Sequence, residues 1–248
     1  IHHLLTHTSG LMSGGLGAAV SGRGKEARGT LARYIPTLVE VPLDFQPGSR
    51  RAYSGTTGFD VVARIIEIVS GVPFNEFVQT RIFDPLEMND THYDLPPSKA
   101  SRRVAIRGRD MSGWFGETTY FSGSVGLSST AKDYLHFQQM LTNGGELFGR
   151  RLLSPRTVTM MTSNHVGGLP VGRKGGPGRG AGYAVGVIVD PVVANSRRSA
   201  GAFGSGGAFG TISWSDPAEE IAAVIMLQQP YGAAIYDFEN AVRQAIID

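Results

Sequence analysis

The chain has 248 residues, a formal charge of +2 and no cysteine. That length allows one large domain with ample core, and the composition excludes disulfides, thiolate metal sites and a cysteine nucleophile. The basic residues are scattered, and the pairs Arg50-Arg51, Arg102-Arg103 and Arg197-Arg198 read as solvated loop charges, so no nucleic-acid partner is expected. No apolar run approaches the roughly 20 residues that span a bilayer.

In chain order, "IHHLLTHTSGL" (1–11) reads as a short helix ending at Gly10, and the glycine- and serine-rich "SGGLGAAVSGRGK" (13–25) as a mobile loop. The chain opens on Ile1 with no lead-in, cap or signal segment, so the expectation is that it is the later part of a longer protein. A helix is expected from Arg28 to Pro36, then an extended stretch, "VPLDFQPGSRRAY" (41–53), with a Pro47-Gly48 turn. Residues 56–70 carry Phe59, Val62, Ile65, Ile66 and Val69 at helical spacing, with Gly71 placed as a C′ terminator. Pro73 starts a second helix running to about Phe83, and "DPLEMNDTHY" (84–93) returns toward a strand. Helices with plausible caps fit Thr130–Thr142 and Ser154–Met161.

"GGLPVGRKGGPGRGAG" (167–182) is too glycine-rich to order itself and is expected as a loop. Three strand-like runs follow: "YAVGVIVD" (183–190), "GAFGTISWS" (207–215) and "EIAAVIMLQ" (220–228). An amphipathic helix over 235–247 closes the chain. The whole reads as α+β, an antiparallel sheet backed by helices in a single domain over 1–248, with no internal repeat.

Tyr53-Ser54-Gly55 stands at the mouth of the 56–70 helix. It is either a strand-end tyrosine packing its ring beside a helix cap, or a tyrosine held ready to move a proton. A free phenol has a pKa of about 10, so the second role needs nearby cations or a relay geometry. Ser54 reads first as the cap. His3 and His7 have i, i+4 spacing, which can bind zinc, but no third ligand is evident and no metal or other cofactor is expected. Trp114, Phe115 and Tyr120 either wall an acyl pocket or pack the core. Arg173, Lys174 and Arg179 share a glycine-rich loop without phosphate-loop spacing.

Five blocks in register, "HLLTHTSGL", "PGSRRAYSGTTGFDVVARIIEIVSG", "IFDPLEMNDTHY", "GLSSTAKDYLHFQQMLTNGG" and "GSGGAFGTISWSDP", resemble successive blocks of the serine β-lactamase-like hydrolases. That superfamily includes class C β-lactamases, family VIII carboxylesterases and D-alanyl-D-alanine carboxypeptidases. The resemblance implies a β-lactamase/transpeptidase-like fold and an acyl-enzyme formed by a serine, with a lysine one helical turn away and a tyrosine proton relay. It places Tyr53 as that tyrosine. It places Ser205, Gly206 and Gly207 on the strand that lines the substrate, and gives the Ala208 N–H as one of two oxyanion donors. The bland alternative for these four is a glycine-rich strand bend.

Two departures matter. Gly55 stands where the family commonly has a substrate-orienting asparagine. The family's esterases tolerate such a change better than its β-lactamases do, so small acyl esters are favoured; Ser205-Gly206-Gly207 stands, without a cation, where β-lactamases carry Lys-Thr-Gly. The chain's single Ser-x-x-Lys match, Ser129 to Lys132, falls after Tyr53, in a helix-capping block. It is read as a decoy, with the true nucleophile and lysine outside this chain. The expected partner is a small-molecule ester, amide or β-lactam. A nucleophile-free binding module and a cell-wall D-alanyl peptidase stand as alternatives.

Overall fold

A computed structural model of the protein describes residues 1–16, 29–55, 57–106, 118–169 and 176–246. Trp114, Phe115, Arg173 and Lys174, and most of the glycine-rich stretch before Lys25, lie outside the described residues.

The first half is helical. Helix α1 (His2–Leu5) is a single turn. Helix α2 (Leu31–Tyr34), capped by the Thr30 side chain, runs on as a 3-10 turn from Ile35 to Glu40. That departs from the expected span of 28–36, because Pro36 falls at the second position of the 3-10 turn, where its absent N–H costs nothing. Helix α3 (Thr57–Ser70) ends at Gly71, whose φ of +74° is the left-handed terminator the sequence implied. Its buried residues are Thr57, Gly58, Asp60 and Ala63. The expected apolar stripe does not bury evenly, and Val69 is 82% exposed because the helix projects past the core at its C-terminal end. Helix α4 (Phe74–Val78) continues through a π turn, Gln79–Phe83. The strand expected near Tyr93 reduces to one bridge, His92 with Ser128.

Helix α5 (Ala131–Thr142) starts where Thr130 Oγ1 accepts the Asp133 N–H, and helix α6 (Pro155–Thr162) where Ser154 Oγ accepts the Thr157 N–H. A two-stranded ribbon, β1 (Glu146–Leu147) and β2 (Arg150–Arg151), lies between them. The main sheet is an antiparallel meander in sequence order: β3 (Arg179–Ala181), β4 (Gly186–Ile188), β5 (Phe203–Gly206), β6 (Ile212–Asp216) and β7 (Ile221–Ile225). Two expectations are corrected here. Residues 179–181 form a strand, since Gly180 and Gly182 let the backbone pass close to Asn164 and to the Met161 carbonyl, where a Cβ would collide. The run "GAFGTISWS" is not one strand: its first four residues turn the chain and only 212–216 pair as β6.

Along β6 the side chains alternate. Ser215 meets Gln138 and Thr142 of α5 at 2.7 Å each. Trp214, on the opposite face, meets the ring of Phe238 at 5.5 Å on helix α7 (Gly232–Gln244). Helix α5 therefore covers one face and α7 the other. The apolar core lies on the α5 side, where Phe203 and Val187 join Met140, Leu141, Leu86, Met88 and Val158. Among the described residues no helix is long and apolar enough to cross a membrane.

Candidate active site

Tyr53 is mounted on a buried polar turn. Thr6, His7, Thr8 and Ser9 are all buried, which four consecutive polar residues tolerate only if paired. The pairing is visible: Thr6 Oγ1 meets Thr8 Oγ1 at 2.9 Å, and His3 Nδ1 meets Thr8 Oγ1 at 2.8 Å. The 44–52 segment runs alongside and closes the backbone bonds Asp44 N to Gly10 O (2.7 Å), Gly48 N to Thr8 O (2.9 Å) and Ala52 N to His7 O (3.0 Å). Gly10 has φ +74°, and a Cβ there would strike the Phe45 carbonyl, so "HTSG" has one possible last residue.

His7 leaves the helical region (φ +57°), so His3 and His7 do not share a helix face as their spacing suggested. Instead the His7 ring lies between Tyr53 and Phe59, with centroids at 4.7 and 5.2 Å. Its Nδ1 accepts a long bond, 3.4 Å, from the Ser54 N–H. Ser54 is buried, and its hydroxyl accepts the Gly58 N–H at 3.2 Å, the capping role read from sequence. Tyr53 itself is 56% exposed. Its ring passes 3.5 Å from where a Gly55 Cβ would sit. Two residues back, the Arg51 guanidinium is lowered from its ordinary pKa by burial, with Nε unpaired among the described residues.

Sequence reasoning missed the buried group behind this platform. Asp60 is 1% exposed and accepts three hydrogen bonds: from Tyr120 Oη (2.7 Å), from Ser122 Oγ, and from the Gly123 N–H (3.0 Å). It fastens the 120–123 loop to the first turns of α3. Tyr93 donates to the Ser122 carbonyl at 2.6 Å, and burial together with Asp60 holds its phenol well above the ordinary range. Tyr120 thus serves this hub. The only sequence signal was an acidic residue amid an apolar helical pattern.

The second half of the site is the β5–β6 hairpin. Ser205 and Gly206 end β5, and Gly207 N closes the turn by donating to Thr211 O at 2.7 Å. Ala208 is in that turn, not on the strand as expected. Residues 205–208 are all exposed, and among the described residues the Ala208 N–H meets no acceptor. Strand β4 pairs with β5 only through Val187–Phe203 and Gly186–Gly204. Beyond Gly204 no strand lies beside that edge of β5 among the described residues, the kind of edge that can accept an extended chain.

The Leu5 carbonyl, two residues before His7, accepts the Ala184 N–H at 3.0 Å, which pins α1 to the turn that leads into β4. Ser129 precedes the Thr130 cap, and its hydroxyl meets Thr91 Oγ1 at 2.8 Å, while Lys132 is exposed. No cluster of three or more His, Asp or Glu side chains suited to a metal occurs among the described residues.

An α+β molecule with an antiparallel meander between a helix-rich half and a terminal helix has the architecture of the β-lactamase and penicillin-binding-protein fold. The solved hydrolase "EstCE1", 23% identical, superposes with a TM-score of 0.78 over 97% of this chain and 70% of its own. The family model described as "Beta-lactamase" matches residues 1–246, and the chain belongs to that family. "Protein Rv1367c" of Mycobacterium tuberculosis is 32% identical over 92% of the chain, and "Esterase EstB" of Burkholderia gladioli is 26% identical over 99%. The chain spans 62% of the first relative's length and 69% of the second's.

Proposed function

We propose that the protein works as a serine hydrolase through an acyl-enzyme and takes small acyl esters. In this reading Tyr53 relays the proton, the Ala208 N–H supplies one oxyanion bond, and Ser205, Gly206 and Gly207 form the edge against which the substrate lies. The nucleophilic serine and its lysine come from residues outside these 248. The observation that carries the reading is the exposed Ala208 N–H, which meets no acceptor among the described residues, at the end of a strand edge that bears no cation. An oxyanion donor must be free and fixed before the reaction, and the Gly207–Thr211 bond fixes it. An acyl group without a carboxylate needs no lysine in place of Ser205. Relatives named as esterases agree in kind, although others are named as D-alanyl-D-alanine carboxypeptidases.

The test is hydrolysis of a chromogenic short-chain ester by the full-length protein. Tyr53→Phe should lower kcat by about a hundredfold or more, the scale of a lost acid–base group, and Ser129→Ala should leave it unchanged. The 248-residue chain alone should be inactive. Activity of that chain that disappears in Ser129→Ala would identify the supposed decoy as the nucleophile, and indifference to Tyr53→Phe would return Tyr53 to a packing role.

A further inference from the structure

The Arg197-Arg198 pair, expected to be a solvated loop charge, lines a cavity of about 330 Å³ between α7 and the segment that leads toward β5. That volume is at the lower end of the range for ligand pockets, about 300–1,000 Å³. Arg179 of β3 reaches the same space from the sheet, and Tyr236, Glu239 and Asn240 of α7 form the opposite wall. None of these residues belongs to the Tyr53 platform or to the 205–208 hairpin.

The guanidiniums are held in place, and their donors are far from used up. Arg198 forks onto Glu239 through Nε (3.0 Å) and Nη2 (3.3 Å), and its guanidinium carbon lies 4.4 Å from the Trp214 ring centroid. Arg197 Nη2 donates to Tyr236 Oη at 2.7 Å, with the guanidinium 4.9 Å from that ring's centroid. Arg179 Nη2 donates to the Ala194 carbonyl at 3.2 Å. Each guanidinium carries five N–H donors in a planar fork. Glu239 answers Arg198, and two arginines remain whose bonded partners, a phenol oxygen and a peptide carbonyl, carry no charge. Guanidiniums in a concave space, with no carboxylate paired to Arg179 or Arg197 among the described residues, match the bidentate geometry of phosphate and carboxylate groups.

We propose that this cavity is a binding site for a small multivalent oxyanion, held between Arg179 and Arg197 and separate from the hydrolytic site. Binding there ties β3 to α7 alongside the Arg198–Glu239 pair. The experiment is calorimetric titration of inorganic phosphate and of citrate, each against sodium chloride at matched ionic strength. Both oxyanions should give saturable heat, weakened about tenfold or more in Arg179→Gln and in Arg197→Gln. Arg156→Gln removes the same charge from exposed α6 and should bind as the unmodified protein does. If Arg197→Gln fails to fold, Arg179→Gln decides alone, because its guanidinium makes one bond to a backbone carbonyl. Absence of saturable heat, an equal response to chloride, or an equal loss in Arg156→Gln would overturn the proposal.

Discussion

Tyr53 stands on buried polar side chains, whereas Ser205–Ala208 hangs from backbone pairing. Behind the tyrosine, Thr6, Thr8, Ser54 and Asp60 are each almost wholly buried, and each is satisfied by a partner far away in sequence or across a tight turn. Behind the hairpin there is a ladder of residues, Phe203 to Gly206 against Ile212 to Ser215, with a tryptophan and an apolar core beneath. A side-chain network fixes a group to a fraction of an ångström but fails abruptly when one member is lost. A ladder shares its load over many bonds. Substitutions in the two regions should therefore differ in size and in kind.

The largest effect should come from Asp60→Ala. It removes the shared acceptor of the Tyr120 hydroxyl, the Ser122 hydroxyl and the Gly123 N–H at once, at a position only 1% exposed. A loss of about 3–5 kcal/mol is expected, the scale for breaking a buried charged network, which lowers Tm by roughly 10 °C in a domain of this size. Thermal unfolding followed by circular dichroism measures it. A drop under about 3 °C would mean that the loop is held by something other than Asp60.

Gly204→Ala probes the ladder and should cost less. A Cβ at 204 would overlap the Ser213 carbonyl and crowd the Trp214 backbone at 2.9 Å, so β5 must lift from β6. Overpacking of this kind costs about 1–3 kcal/mol. Because Ser205 is the next residue, the displacement should also raise KM for the ester substrate proposed for the full-length protein, while Asp60→Ala should act on stability first.

This contrast also explains what the sequence disclosed. Local rules were legible: the Thr130 and Ser154 caps, the Gly71 terminator and the Ser54 cap each depend on residues a few positions away. The amphipathic terminal helix and the α+β order were legible from periodicity. Asp60 was not, because its partners lie some sixty residues on and an aspartate in a first helical turn has an ordinary electrostatic reason to be there. Strand β3 was hidden because "RGA" has no β propensity. Its glycines serve close approach to Asn164 and Met161, which only the folded chain shows. The hairpin was misdrawn because "GAFG" occurs at both 201–204 and 207–210, once leading into β5 and once turning out of it.

Gly55→Asn should have a smaller effect, and a favourable one. The glycine has no left-handed φ, and the nearest atom to a new Cβ is Tyr53 Cε1 at 3.5 Å, an ordinary contact. Replacing a glycine at a compatible position removes unfolded-state freedom and stabilises by about 0.4–1 kcal/mol. A rise in Tm of a degree or two is expected. A fall would show that the Tyr53 ring cannot yield, and that the platform is tighter than its exposure suggests.

The smallest expected effect is a pH dependence at the far side of the first region. Lys99 Nζ spends its three protons on the Asn89 carbonyl (2.6 Å), Asp90 Oδ1 (2.8 Å) and His92 Nε2 (3.1 Å). That last bond needs an unprotonated Nε2, and burial together with the Lys99 charge holds His92 below its ordinary pKa, against the opposing pull of Asp90 and Asp133. As pH falls through the unfolded value of about 6.5, the unfolded chain takes up its proton before the folded one. Stability is therefore lost between that pH and the lower native value. Asp90 is depressed by Arg102 and Lys99, so its contribution is present above its unfolded pKa and lost only in stronger acid, outside this window. His2, lowered by burial and by His3 and His165, adds a slope of the same sign. Urea midpoints measured at pH 7.5 and 5.0 should fall for the unmodified protein and fall less for His92→Gln. The remaining slope should shrink again when His2→Gln is added. Equal slopes in all three proteins would mean that neither imidazole is kept neutral by the fold.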